Sequence, residues 1–178
     1  MFRVGVIFSA IVFIVPGVVL AATDTATINI SATVRANTCT LSNKNPVFIL
    51  PAVSTGDFSG LKGKVVSSVP VTISFTNCGA DTKRFSVQMT GTQDTEINDG
   101  ITFKNALSDS TAATGVGILL YGADGTIFRP DGTKTVLITP PTGGGNVSVN
   151  YTAKYISTRG VVTSGKVSAV ITAYIVYP

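Results

Sequence analysis

The sequence contains no histidine. That removes Ser-His-Asp and Cys-His nucleophile systems, histidine general bases and histidine metal ligands. Acidic residues are scarce as well, nine in 178. They are scattered through loop-like sequence, as at Asp94, Glu96 and Asp99, where solvated charge is the ordinary role. No catalytic constellation remains, so the chain is not expected to be an enzyme, and no metal or cofactor is expected. The 13 basic residues form no cluster, and the net charge of +4 is spread along the chain. Nucleic-acid binding needs a basic patch, so it is not expected either.

What is present begins with an export signal. Arg3 gives a short positive region, and Val4 to Leu20 is apolar apart from Ser9, Pro16 and Gly17. Val19-Leu20-Ala21 supplies compact residues at a cleavage site. Residues 1–21 are therefore expected to be a signal peptide, cut after Ala21, with Ala22 as the alternative. The run is slightly short for a span of roughly 20 residues, and no polybasic stop follows it. No membrane insertion is expected after cleavage. The mature chain, Ala22 to Pro178, is long enough for one domain with a single core.

Export places Cys39 and Cys78, the two cysteines of the chain, in an oxidising compartment. An intrachain disulfide is the expected outcome. Closing a loop of that size is worth about 4 kcal/mol by loss of chain entropy. Free or metal-bound thiols are the rival, but two cysteines without histidine make a poor metal site.

The apolar pattern alternates. Val69, Val71, Ile73 and Phe75 lie on one face, with Thr72, Ser74 and Thr76 on the other. Phe85, Val87 and Met89 repeat the pattern, followed by Val116, Ile118 and Leu120, then Val147, Val149, Tyr151, Ala153 and Tyr155. These are strand-length runs of period two. Asn98-Asp99-Gly100, Ala123-Asp124-Gly125, Pro130-Asp131-Gly132 and the Pro/Gly stretch from Pro140 to Gly145 break them with turn chemistry. Residues 108–115 leave room for a helical turn. Many short strands separated by turns predict an all-β, antiparallel sandwich of immunoglobulin type. Strict alternation from Val69 would put Cys78 on the polar face, so the strand is expected to end or bulge near Asn77.

Two strands do not fit a self-contained sandwich. The first, at the mature N-terminus, sets Ala26, Ile28, Ile30, Ala32 and Val34 on one face against Thr27, Asn29, Ser31, Thr33 and Arg35 on the other. The second, at the C-terminus, sets Val167, Ala169, Ile171, Ala173, Ile175 and Tyr177 on one face. Its other face carries Val170, Tyr174 and Val176 and is itself partly apolar. Such a strand wants neighbours on both sides, and no following segment supplies one. The expectation is an incomplete sandwich lacking its last strand. Its open edge would be filled by the spare strand of another copy, a head-to-tail contact that generates a filament.

These features resemble the pilin subunits of chaperone–usher fimbriae, most closely those of type 1 fimbriae. Gly165 is the fourteenth residue from the C-terminus, Tyr177 is penultimate, and alternating apolar residues lie between them. Cys39 follows the N-terminal extension, and Cys78 ends the second strand. The resemblance implies an N-terminal donor-strand extension at residues 22–34 and a pilin domain at 35–178. It assigns Ala26, Ile28, Ile30, Ala32 and Val34 as donor to the neighbouring subunit. It assigns Gly165, Val167, Ala169, Ile171, Ala173, Ile175, Tyr177 and Pro178 as the strand bound first by a chaperone and then by the incoming donor. Seven residues before the first cysteine the family usually has glycine; this chain has Ala32.

The partners implied are a periplasmic chaperone, an outer-membrane usher and neighbouring pilins. The implied location is the cell-surface fimbrium, reached through the periplasm. A single-domain tip adhesin binding a host glycan or protein is the alternative, with Tyr121 or Phe128 as its loop aromatics. Against it, large aromatics usually bury.

Overall fold

A computed structural model describes residues 38–44 and 46–178. The expected signal peptide, residues 1–21, and the expected donor extension, residues 22–34, lie outside the described residues.

Among the described residues, eight strands follow one another: β1 (Thr40–Leu41), β2 (Val65–Cys78), β3 (Phe85–Gly91), β4 (Phe103–Lys104), β5 (Val116–Tyr121), β6 (Asp131–Ile138), β7 (Gly145–Ser157) and β8 (Ile171–Val176). They form two sheets. One has the order β1-β2-β7-β5-β4, and the other the order β6-β3-β8. Every pairing between these strands is antiparallel. Inward residues of both sheets share one apolar core, with Phe75, Phe85, Val87, Phe103, Phe128 and Tyr151 at most 1% exposed. The predicted all-β antiparallel architecture is the observed one.

The long strand β2 carries its alternation as predicted: Val71 and Phe75 are buried, Val69 and Ile73 half-buried. Its end is bulged. Phe75 pairs with Val147, but Cys78 pairs with Gly145, so one extra residue is inserted on β2. Asn77 absorbs it at φ +53°, a conformation asparagine tolerates better than most residues. Its N–H donates to the Asn146 side chain at 3.2 Å. The insertion reverses the parity and turns Cys78 inward, where it is 5% exposed and bonded to Cys39.

Two local readings change. Residues 108–115 contain turns but no helix. Asp109 accepts hydrogen bonds from the N–H and hydroxyl of Thr111, a side-chain bond that competes with helical pairing. A 3-10 turn instead spans Thr55–Phe58, closed by a reciprocal cap between Ser54 and Asp57. It delivers Phe58 to the core at 2% exposure. Strand β5 is buried from Val116 through Leu120 on both faces. A Cβ on Gly117 would lie 2.5 Å from a Thr102 methyl and 2.8 Å from the Phe103 carbonyl, so nothing larger than glycine fits beside β4 there.

Candidate functional site: the open edge beside the last strand

The C-terminal segment runs as two pieces rather than one strand. From Gly165 to Val170 it is held by the loop before β5. The Lys166 N–H donates to the Thr111 carbonyl at 2.7 Å, the Ala113 N–H to the Lys166 carbonyl at 2.9 Å, and the Ala106 N–H to the Ser168 carbonyl at 2.7 Å. Asn105, 7% exposed, ties these together. Its amide donates to the carbonyls of Ala113 and Lys166, and its side-chain oxygen accepts from the Ser168 N–H. Gly165 makes this approach possible, since a Cβ there would stand 2.4 Å from the Ala113 nitrogen. From Ile171 the chain joins β3, with Gly91 opposite Ile171 and Ser86 opposite Val176.

Among the described residues, β8 pairs with β3 and with no other strand, so its far edge carries unpaired backbone groups. The burial pattern agrees. Phe85, Val87 and Met89 on β3 are 0–2% exposed. Val167, Ala169, Ile171, Ala173, Ile175 and Tyr177 point to the same core, yet every one is only half-buried. Ile73, Val147 and Val149 of the opposite sheet share that state. Solvent therefore reaches a row of inward-pointing apolar side chains along one side of the sandwich. The outer face of the segment is partly apolar, with Val170, Tyr174 and Val176 exposed.

Both ends of this groove are defined. At one end the Tyr177 hydroxyl accepts from the Cys39 N–H at 2.7 Å and lies 3.3 Å from the Cys39 carbonyl. The Tyr177 ring packs on Phe85, centroids 5.6 Å apart, and Phe85 packs edge-on to Phe75 at 4.9 Å. At the other end lies a cavity of about 390 Å³, lined by Val53, Phe58, Val116, Tyr155, Val162 and Val167 among others. The chain from Cys39, at the first end, to Val53, at the second, packs Leu41, Leu50 and Val53 on the same core. It includes Val47 and Ile49, both 86% exposed, and its Pro51 carbonyl accepts from the Tyr155 hydroxyl at 3.3 Å.

Apart from the hydroxyls of Tyr155 and Tyr177, the inward side chains of the last segment and the cavity side chains named above are apolar, and Ser54, Thr55, Thr163 and Ser164 add small polar groups to the cavity wall. Among the described residues there is no group of three or more His, Cys, Asp or Glu able to hold a metal. The carboxylates with displaced pKa values serve turns. Hydrogen bonds from Thr111, Thr126 and Thr133 lower Asp109, Asp124 and Asp131 respectively. The surface is therefore suited to receiving backbone hydrogen bonds and alternate apolar side chains, as a strand supplies them. The loop aromatics considered above are otherwise engaged: Phe128 is fully buried, and the Lys154 ammonium sits 4.5 Å above the Tyr121 ring.

Sequence reasoning named β8 and its inward row. It did not name Asn105, the cavity or the segment from Cys39 to Val53. A polar residue in a loop and an irregular apolar run carry no periodicity to betray them. The Ser54–Asp57 spacing, a capping signature, was the available signal for the turn that brings in Phe58.

No curated protein sequence matches the chain significantly. Solved structures do. The P pilus rod subunit PapA superposes with a TM-score of 0.65 at 19% identity, covering 79% of this chain and 99% of that one. A chaperone–usher pilus structure concerned with rod uncoiling gives 0.63 at 20% identity, covering 91% and 99%. The CupB6 tip adhesin from Pseudomonas aeruginosa gives 0.51 at 18% identity, covering 64% of this chain and 31% of that one. These likenesses share the fold. The match that reaches from Ile28 to Pro178 is to the family described as fimbrial protein, and the chain belongs to that family.

Proposed function

We propose that this chain is a structural subunit of a chaperone–usher fimbria, joined to its neighbours by donor-strand complementation. The observation that carries the reading is the unpaired edge of β8 beside a row of half-buried apolar side chains. Strand addition to an exposed sheet edge is a known mode of recognition, and donor-strand complementation is one of its instances. The donor is residues 26–34 of another copy, whose Ala26, Ile28, Ile30, Ala32 and Val34 alternate at the two-residue spacing a groove requires. The donor fits within the groove: Ala26 to Val34 extends about 26 Å, and the groove from Val167 to Tyr177 about 33 Å at the same rise per residue.

Burying five such side chains contributes on the order of 5–8 kcal/mol, and a ladder of backbone hydrogen bonds adds to it. Dissociation is then slow on any working timescale. Before assembly, a periplasmic chaperone covers the groove, gripping the segment that ends at Pro178, and an outer-membrane usher exchanges it for the next subunit's extension. The finished polymer stands on the cell surface and supports adhesion.

The test is Ile30→Asp in the full mature chain. A carboxylate in the middle of the donor cannot be buried unpaired. Polymers should be lost while chaperone capture, which uses the groove and not the donor, is retained. Normal filaments from this variant would overturn the reading.

A further inference from the structure

Away from the groove, one short motif occurs twice. Asp124-Gly125-Thr126 follows β5, and Asp131-Gly132-Thr133 opens β6. Both aspartates are exposed. The backbone demands the glycines. Gly125 has φ +80° and Gly132 φ +74°, in the left-handed region where a side chain is strained. Each glycine N–H also closes its turn. Gly125 donates to the Gly122 carbonyl and Gly132 to the Arg129 carbonyl, both at 3.0 Å. The fold therefore commits the chain to an exposed Asp–Gly bond at two places.

Such a bond has a built-in reaction. The glycine nitrogen attacks the aspartate Cγ, and a five-membered succinimide forms. The amide proton and the carboxyl hydroxyl leave together as water. A second water then opens the ring at either carbonyl. One opening restores aspartate. The other routes the main chain through the side-chain carboxyl and lengthens it by one carbon. Here that detour would be disruptive. Phe128 lies between the two turns and is fully buried, and Asp131 is in register with Thr90 of β3.

The threonine of each motif opposes the attack. Thr126 holds both oxygens of Asp124, Oδ1 by its N–H and Oδ2 by its hydroxyl, each at 2.9 Å. Thr133 holds Asp131 Oδ1 by its N–H at 3.0 Å and by its hydroxyl at 2.7 Å. Carrying Cγ onto the glycine nitrogen strains or breaks these bonds. They also hold both carboxyls below the usual range, the backbone N–H first and the hydroxyl after it. The neutral acid that the reaction consumes is thereby made scarce.

We infer that Asp124 and Asp131 are latent isomerisation sites, kept in the unmodified form by the hydroxyls of Thr126 and Thr133. This holds whether or not strand donation does. Asp109 accepts the same two bonds from Thr111 although serine follows it, so the bonds also build turns in their own right. The test must separate the two roles. The remaining Asp–Gly pair of the chain, Asp99-Gly100, serves as an internal reference. Its carboxylate is tied to Ile101 and Thr102 instead.

The full mature chain is held for weeks at neutral pH and body temperature and then digested. Isoaspartate at each Asp–Gly pair is read by mass spectrometry with electron-based fragmentation. A synthetic peptide of residues 119–136 gives the unstructured rate. With each hydrogen bond worth about fivefold, both sites should react at least tenfold more slowly in the folded chain than in the peptide. Thr126→Val keeps the N–H and the shape but loses the hydroxyl. It should speed Asp124 about fivefold and leave Asp131 and Asp99 at their native rates. Thr133→Val should do the reverse, and Thr126→Ser should restore the native rate at Asp124. Equal rates in folded chain and peptide would overturn the inference. So would valine variants that react at the native rate. Acceleration of all three sites together in either variant would also overturn it, because that pattern reports a loosened fold.

Discussion

Three residues carry consequences out of proportion to their size. Tyr151 is 1% exposed, and its hydroxyl has no hydrogen-bond partner among the described residues. Burial, with a smaller contribution from the Asp124 charge, pushes its pKa up to about 12. A raised value in the folded state means that stability is intact below the ordinary tyrosine pKa near 10 and is lost as pH rises from there toward 12. Tyr151→Phe should flatten that loss in an alkaline melt series. At neutral pH it should leave stability unchanged or higher by up to about 1 kcal/mol, because an unsatisfied buried hydroxyl disappears. Tyr177→Phe should do the opposite, costing about 1 kcal/mol in denaturant titrations, since it removes the bonds to Cys39. Gly165→Ala drives a methyl into the Ala112–Ala113 backbone. We expect a loss of about 2–4 kcal/mol, or failure to recover folded protein.

At the scale of elements, the last strand and its edge, unpaired among the described residues, dominate. On the proposed reading, a synthetic peptide of residues 22–35 should act as a donor in trans. Added to the full chain carrying Ile30→Asp, which cannot donate, it should raise the melting temperature in proportion to the logarithm of peptide concentration. A scrambled peptide should do nothing, and equal effects from both would argue against a shaped groove. The strands themselves were legible because one face of each is buried, which writes a period of two into the sequence. The run at Val69–Phe75 and its partner at Val147–Tyr155 are the clearest cases. The Asn77 bulge was legible as a broken parity, since an inward cysteine is incompatible with strict alternation. Where burial is on both faces, as at Gly117 and Leu119 of β5, alternation predicts outward residues that the fold in fact covers. Where the chain changes partners, as at Val170, a continuous apolar pattern hides the break, because both halves face the same core.

For the molecule as a whole, the described residues combine a packed frame with one open sheet edge. The disulfide between Cys39 and Cys78 fixes the first end of the groove to β2. Reducing it should loosen the segment from Cys39 to Val53 and weaken donor capture more than it weakens the β2–β7 pairing. Hydrogen exchange read residue by residue would check this, with protection lost first around Cys39–Val53 and Tyr177. Prepared without a chaperone, the mature chain should associate as its concentration rises, and sedimentation at several loadings would register it. A stable monomer at every loading would argue that the edge is covered from within.

The bond between Tyr177 and Cys39 joins residues 138 positions apart. A chain made from its N-terminus onward presents Cys39 long before Tyr177. The corner where the disulfide meets the last strand is therefore fastened late, and a copy cut short before Tyr177 lacks that fastening.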